Sequence, residues 1–215
     1  AYLSSRGGEV RREVRIGAIT RDADGFRLDA NGTTRGPYAQ VVVAVAPQHL
    51  TKLVAGLPEL ATIVEQVEHF EWEPIVGAYL AYPENVRLPF AMVGVAAGTA
   101  QWLFDRGQIA AQHGLIAVVI SAEGAHQDLP QDQLAQRVAQ ELQKQLGITE
   151  TPLWHKIIAE KRATFSCEVN LSRPEHKTPV ANLLLAGDFT AGDYPATLEG
   201  AVISGISCAN AILNK

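Results

Sequence analysis

The sequence predicts a mixed α/β fold of the α+β kind, and three observations predict it. Residues 75–121 contain strand-length apolar runs separated by Pro, Gly and Asn, as in a meander of antiparallel strands. Residues 130–146 then repeat apolar side chains at every fourth position, which is typical of a helix packed on one face. Residues 183–213 read as a buried strand, a loop with two glycines and two aspartates, and a long helix.

The first third of the chain predicts short strands followed by short helices. Residues 9–30 alternate apolar and polar positions around an Asp-Ala-Asp-Gly turn, which predicts two or three antiparallel strands. The continuous apolar run at 39–47 is typical of a strand buried on both faces. Pro47 then opens a short helix through Val54, and helical spacing returns over residues 60–70.

The middle of the chain supplies the antiparallel sheet and its covering helix. The predicted strands cover residues 75–82, 90–96, 101–104 and 115–121, with a further strand at roughly 153–163. The 130–146 helix is predicted to end at Gly147, because glycine readily adopts the left-handed conformation that closes a helix.

The C-terminal segment carries the strongest chemical signal. A helix predicted to open near Thr197 and to run to about Leu213 would aim unpaired N–H groups and the positive end of its dipole at a ligand. Asp188 adds a carboxylate at the tip of the preceding strand. Amides suit an anionic or electron-rich group, and a carboxylate suits a sugar hydroxyl.

Composition excludes several classes of function. A chain of 215 residues with 47% hydrophobic residues fits one or two domains with a real core, and its net charge of −5 argues against a nucleic-acid partner. Cys167 and Cys208 form no C-x-x-C pair, and the six histidines lack metal-ligand spacing, so we expect no metal. We expect a cytoplasmic protein, with peripheral contact to a membrane left open.

Residues 183–205 closely resemble the C-terminal signature of the flavin-containing amine oxidase and carotenoid desaturase superfamily. The stretch PATLEGAVISG (195–205) resembles the desaturase branch, and within it the squalene-associated desaturases, also called hydroxysqualene dehydroxylases. Individually weaker matches extend this resemblance over nearly the whole chain, at residues 6–19, 41–54, 73–82, 101–107 and 161–166.

One family feature is missing from the sequence. Members of the superfamily open with a strand, a G-x-G-x-x-G turn and a helix that carry the dinucleotide diphosphate, and no such motif occurs here. We therefore expect the C-terminal half of a longer flavoprotein. The resemblance implies that residues 1–55 belong to a Rossmann-like FAD-binding domain, 56–179 to a substrate-binding domain, and 180–215 to a C-terminal FAD-binding segment.

The resemblance also implies a set of FAD-binding residues. Gly187 and Asp188 match the family's Gly-Asp/Glu pair, whose carboxylate contacts the ribityl chain, although an aspartate here also suits an ordinary turn. The backbone amides at Thr197 and Leu198 would face the pyrimidine edge of the flavin, and Ile16 would contact adenine through its backbone unless it is simply a strand core residue. The predicted cofactor-binding residues are Ile16, Gly187, Asp188, Pro195, Ala196, Thr197 and Leu198.

Two departures from the amine oxidase branch favour an apolar substrate. Residues 75–82 contain no lysine, with Gly77 at about the position where that branch carries one, and Pro-Ala-Thr at 195–197 replaces an aromatic residue. Aromatic residues that would line a hydrocarbon tunnel, unless they are plain core, are Trp72, Tyr79, Trp102, Phe104 and Phe165.

The resemblance implies an FAD-dependent oxidoreductase that acts on an isoprenoid hydrocarbon by hydride transfer at flavin N5. Removal of an allylic hydroxyl to give squalene is the first expectation, and a phytoene-type desaturase or an amine or protoporphyrinogen oxidase is the alternative. The sequence identifies no catalytic side chain.

The alternative to an enzyme concerns the chain as a free polypeptide. It would then be a catalytically silent domain that binds an apolar ligand or a partner. In that state we expect it to retain little or no FAD and to self-associate.

Overall fold

A computed structural model describes residues 2–214 as a mixed helix and sheet structure. The strands are β1 Ile16–Asp22, β2 Gly25–Ala30, β3 Thr33–Tyr38, β4 Val41–Val43, β5 Trp72–Ala81, β6 Met92–Gly94, β7 Trp102–Asp105, β8 Leu115–Ser121, β9 Trp154–Phe165 and β10 Leu183–Leu185. The helices are α1 Tyr2–Ser5, α2 Leu50–Leu53, α3 Ala61–Glu68, α4 Arg106–Ala110, α5 Gln131–Leu146 and α6 Leu198–Leu213. The predicted fold class is confirmed.

The chain forms two compact units. The first unit comprises the residues up to Phe70 and those from Cys167 onward, and the second unit is Glu71–Ser166. The middle domain expected at residues 56–179 is longer than the second unit, because α3 and residues 167–179 lie in the first unit.

The first unit opens with a three-stranded antiparallel sheet in the order β1-β2-β3. The predicted turn is confirmed: the Asp22 carboxylate accepts hydrogen bonds from the N–H groups of Asp24 and Gly25. Two antiparallel strands lie within residues 9–30 as predicted, although β1 begins only at Ile16. The six residues of β3 are all exposed, so no apolar alternation in the sequence marked this strand.

The second sheet of the first unit is the parallel pair of β4 and β10, with Val41 opposite Leu183. The predicted strand at 39–47 was too long, because only Val41–Val43 pairs. Burial on both faces was also wrong for Val42, which is 39% exposed. Within residues 2–214 this sheet has only two strands, so it lacks the neighbours that usually cover a parallel strand.

The second unit is a five-stranded antiparallel sheet in the order β6-β7-β8-β5-β9, with α5 packed on one face. As predicted, α5 ends at Gly147, which adopts a left-handed conformation with φ 70°. The core between sheet and helix is built from Val76, Ala78, Leu80, Leu103, Ile116, Val118, Ile120, Leu134, Val138 and Leu142. The predicted antiparallel sheet and its covering helix are thus confirmed. The predicted meander holds only for β6-β7-β8, because β5 pairs with β8 and β9 and not with its neighbour in sequence, β6.

Candidate functional site

The strand β10 gives the candidate site a rigid starting point. All three of its residues are buried, and the N–H of Ala186 extends the parallel pairing by donating to the Val43 carbonyl at 2.9 Å. The buried run of leucines thus fixes where the backbone leaves the sheet, immediately before Gly187 and Asp188.

Gly187 occupies a position that only glycine fits. Its φ is 154°, and a Cβ placed there would lie 2.5 Å from Cε1 of Phe189. Because the Phe189 ring is only 1% exposed, it has no free space to move into. The glycine of the Gly-Asp pair therefore has a steric cause within this chain, beside its resemblance to a family motif.

Asp188 is half-buried and lines a cavity of about 160 Å³ in the first unit. Its carboxylate forms no hydrogen bond with any side chain or backbone group of residues 2–214. An ordinary turn or helix-capping aspartate accepts bonds from nearby amides, and Asp188 does not do so here. Both oxygens are therefore available to accept hydrogen bonds from hydroxyl groups of a ligand.

The start of α6 places two further polar groups beside this loop. The Thr197 hydroxyl caps the helix by accepting from the Gly200 N–H at 3.0 Å, so the predicted opening near Thr197 is confirmed. The N–H groups of Leu198 and Glu199 have no acceptor within residues 2–214. Together with the helix dipole they favour an anionic or electron-rich atom at this end. Pro195 and Ala196 form the turn that leads into the cap.

Two side chains of α6 that the sequence analysis overlooked bind the helix to the end of β10. The buried Ser204 hydroxyl accepts from the Gly187 N–H at 2.8 Å, and the buried Cys208 thiol donates to the Leu185 carbonyl at 3.1 Å. Burial raises the pKa of the Cys208 thiol, so it remains a neutral donor. A signal was available: two small polar residues lie one helical turn apart in an otherwise apolar helix.

Two small residues of α6, one helical turn apart, differ in their burial. Ala201 is half-buried, whereas Gly205 is exposed and a Cβ added there would meet nothing within 4 Å. Gly205 therefore makes no close contact with another element in the described part of the chain.

Ile16 lies outside the strand–loop–helix. It is the half-buried first residue of β1, pairs with Ala30, and precedes an irregularity in the register at Ala18. Ile16 thus belongs to a different sheet of the first unit from β10, the strand that leads to Asp188. Its contact with adenine stays a prediction.

The five aromatic candidates all lie in the second unit, and three of them share one face of its sheet. Trp72 pairs with the buried Phe165 beyond an irregularity in the register between Glu73 and Ile75, and α5 packs on the face that carries Leu103 and Val118. Tyr79 and Phe104 both pair with Ala117, and Trp102 pairs with Val119, which places these three on the opposite face. We call that surface the open face; it also carries Gly77. The binding role of all five stays a prediction.

The shifted pKa values of titratable groups in the second unit have structural causes. Burial would raise the pKa of Asp105, but hydrogen bonds from Gln108 and from the Leu88 N–H hold it below its usual range. Burial raises the pKa of Tyr82 to about 12. No cluster of three or more potential metal ligands occurs in the part of the chain that the structure describes. Nor, across residues 2–214, is any helix both long and apolar enough to cross a bilayer.

Comparison of the sequence with known proteins identifies a family of flavin-containing enzymes. A family profile described as flavin containing amine oxidoreductase matches residues 1–213. Hydroxysqualene dehydroxylases from Rhodopseudomonas palustris and Sinorhizobium fredii are 34% and 32% identical to this chain over 99% of its length. A zeta-carotene desaturase from Synechocystis is 39% identical, over only 28% of the chain.

Solved structures show the same fold. A putative protoporphyrinogen oxidase from Exiguobacterium superposes with a TM-score of 0.71 at 17% identity, over 97% of this chain and 48% of its own. The chain likewise spans about half of the curated relatives it matches, 49% of the Rhodopseudomonas protein and 48% of the Sinorhizobium protein.

Proposed function

Because this chain belongs to the flavin containing amine oxidoreductase family, we propose that it forms part of an FAD-dependent hydroxysqualene dehydroxylase. One observation carries the proposal: dehydroxylases match 99% of the chain, whereas the carotene desaturases match 19–28% of it. The desaturases have higher sequence identity than the dehydroxylases, but only over short segments of the chain. Extended similarity through both units therefore favours the dehydroxylase reaction over desaturation.

The geometry of the first unit fits a flavin dinucleotide. The unpaired Asp188 carboxylate would accept hydrogen bonds from ribityl hydroxyls, and the free N–H groups of Leu198 and Glu199 would face the electron-rich edge of the ring. The dipole of α6 favours negative charge there by roughly 0.3–2 kcal/mol, which would stabilise the anionic reduced flavin. These are donors and acceptors of the kinds such a cofactor needs, and no metal is required.

The second unit supports an apolar substrate. Its open face carries Tyr79, Trp102 and Phe104 and has Gly77 where the amine oxidase branch carries a lysine. A hydrocarbon gains about 0.8 kcal/mol for each methylene-sized unit buried, which is enough to hold a long isoprenoid chain. A cationic amine would instead lose its hydration, at a cost of several kcal/mol unless a charged or aromatic partner compensates it.

Reduced FAD, when bound, supplies the hydride that replaces a departing allylic hydroxyl, and a proton completes the leaving water. The side chains described here would bind and orient the two reactants and exclude water from the hydrocarbon. This division of labour explains why no nucleophile and base stand out: the cofactor performs the redox chemistry, and the protein supplies position and electrostatics.

The test is a parallel assay of the full-length protein that contains this chain. The protein, FAD and a reductant are incubated separately with hydroxysqualene, phytoene and benzylamine, and the products are separated by chromatography. We expect squalene from the first substrate only. A coloured polyene from phytoene would select the desaturase reaction, and turnover of benzylamine alone would contradict an apolar substrate.

A further inference from the structure

The loop between β10 and α6 is held by one side chain from outside it. The guanidinium of the half-buried Arg173 donates to the carbonyl of Tyr194 at 2.8 Å, to that of Gly192, and more weakly to that of Asp188 at 3.4 Å. These acceptors lie at the beginning, middle and end of residues 188–194, which we call the cofactor loop. A single planar group thus spans the whole loop.

The segment that carries Arg173 is itself fixed to β10. The Pro174 carbonyl accepts from the Ala191 N–H at 2.9 Å, and the His176 carbonyl accepts from the Leu185 N–H at 2.9 Å. Lys177 completes an antiparallel bridge with Leu184. Residues 174–177 therefore run along the buried strand, and this support places the Arg173 guanidinium beside the cofactor loop.

Arginine suits this position for a physical reason. Three carbonyl oxygens converge on one side of the loop, and their partial negative charges repel one another unless a cation lies between them. A guanidinium presents five donors in a fixed plane, so it can satisfy carbonyls at several points simultaneously. The ammonium of a lysine is a compact point charge that cannot reproduce this fork.

We infer that Arg173 is a positioning residue for the cofactor: it holds the cofactor loop in its binding shape before the cofactor arrives. The held loop keeps the Asp188 carboxylate at a fixed spacing from the free N–H groups at the start of α6. Ordering a loop in advance strengthens binding because less conformational entropy is lost when the ligand binds. This inference rests on the proposed function to the extent that the ligand is FAD.

The experiment compares Arg173→Gln and Arg173→Lys with wild type in the full-length protein. Arg162→Gln is the matched control, since this arginine is exposed and its guanidinium has no partner within residues 2–214. Hydrogen exchange of the peptide covering 189–197 is measured without FAD. The dissociation constant for FAD and the visible spectrum of the bound flavin are then measured, together with the thermal unfolding midpoint.

We expect Arg173→Gln to accelerate exchange of the cofactor loop and to weaken FAD binding about tenfold or more, since a hydrogen bond to a charged group is worth about a factor of ten. Arg173→Lys should fall between Gln and wild type, with a bound-flavin spectrum closer to wild type, and Arg162→Gln should match wild type throughout. The inference would be overturned if the cofactor loop of both Arg173 variants exchanged at the wild-type rate. It would also be overturned if a variant whose cofactor loop exchanges faster bound FAD as tightly as the wild-type protein.

Two further outcomes separate this inference from the proposed function. If Arg173→Gln exchanges rapidly everywhere, it has lost its fold, and the milder Arg173→Lys variant decides: the inference predicts faster exchange confined to the cofactor loop. If the wild-type protein binds no FAD, the proposed function fails and the cofactor role of Arg173 fails with it. The exchange measurement then still establishes whether Arg173 holds the loop.

Discussion

Gly187 lies where the chain leaves β10 and passes the buried ring of Phe189, with no room for a side chain. We expect Gly187→Ala to destabilise the protein by about 1–3 kcal/mol, because the new methyl group must displace a packed aromatic ring. Gly192→Ala is the control in the same loop, since a Cβ there meets nothing within 4 Å. Calorimetric unfolding of the two variants should separate them; equal midpoints would contradict this steric account.

Asp188 is the residue whose chemistry is least explained by the fold alone, because its carboxylate has no partner in residues 2–214. In the full-length protein, Asp188→Ala should lower the fraction of FAD that remains bound after purification, while the unfolding midpoint of the flavin-free protein stays unchanged. Asp188→Asn keeps one oxygen acceptor and should lose less. Unchanged flavin content in the alanine variant would count against a contact with the ribityl chain.

At the scale of elements, the short helix α4 depends on the buried carboxylate of Asp105. This side chain caps α4 by accepting from the Gln108 N–H at 3.1 Å, and it also accepts from the Leu88 N–H at 3.0 Å. We expect Asp105→Asn to destabilise the second unit by about 1–3 kcal/mol at pH 7, since an amide offers one acceptor where two are needed. All three tryptophans lie in the second unit, so urea unfolding followed by their fluorescence reports on it.

The same variant makes a prediction about pH. The pKa of Asp105 is lower in the folded protein than in the unfolded chain, where it lies near ~3.9. Its stabilisation is therefore complete above the unfolded pKa and is lost as the pH falls through the folded pKa. The difference between wild type and Asp105→Asn should accordingly be larger at pH 7 than in acid. Asp132→Asn, which removes the negative charge of an exposed partner of His155, should change little at either pH.

Elements with a clear period were predictable from the sequence, and those defined by single contacts were not. Apolar residues recur at every second position in β5 and β8 and at every fourth position in α5, because those positions face the core. Helix α4 has only five residues and no buried side chain, so no periodic signal marks it. Likewise Gly187 and Asp188 were identifiable by resemblance, whereas Arg173 acts through carbonyls of distant residues, and such contacts leave no pattern along the chain.

At the scale of the whole chain, the structure leaves apolar surface uncovered on α6. Leu198, Val202 and Ile206 recur at every fourth residue and are 89%, 57% and 55% exposed. This spacing places them on one side of the helix, which we call the α6 stripe. A regular apolar stripe on a helix normally packs against another element, so its exposure predicts association when the chain is produced alone.

We therefore expect the isolated 215-residue chain to self-associate through the α6 stripe and to carry little or no FAD. Half of the length of its relatives is missing from such a sample, and the remaining donors cannot offset the entropy lost when a large ligand is immobilised. Ile206→Lys should shift sedimentation velocity profiles toward the monomer, because a charge in the stripe opposes its burial. Gln133→Lys, which adds the same charge at an exposed polar position of α5 and leaves α6 untouched, should leave association unchanged. A monomeric wild-type chain, or one that purifies with stoichiometric flavin absorbance, would contradict this prediction.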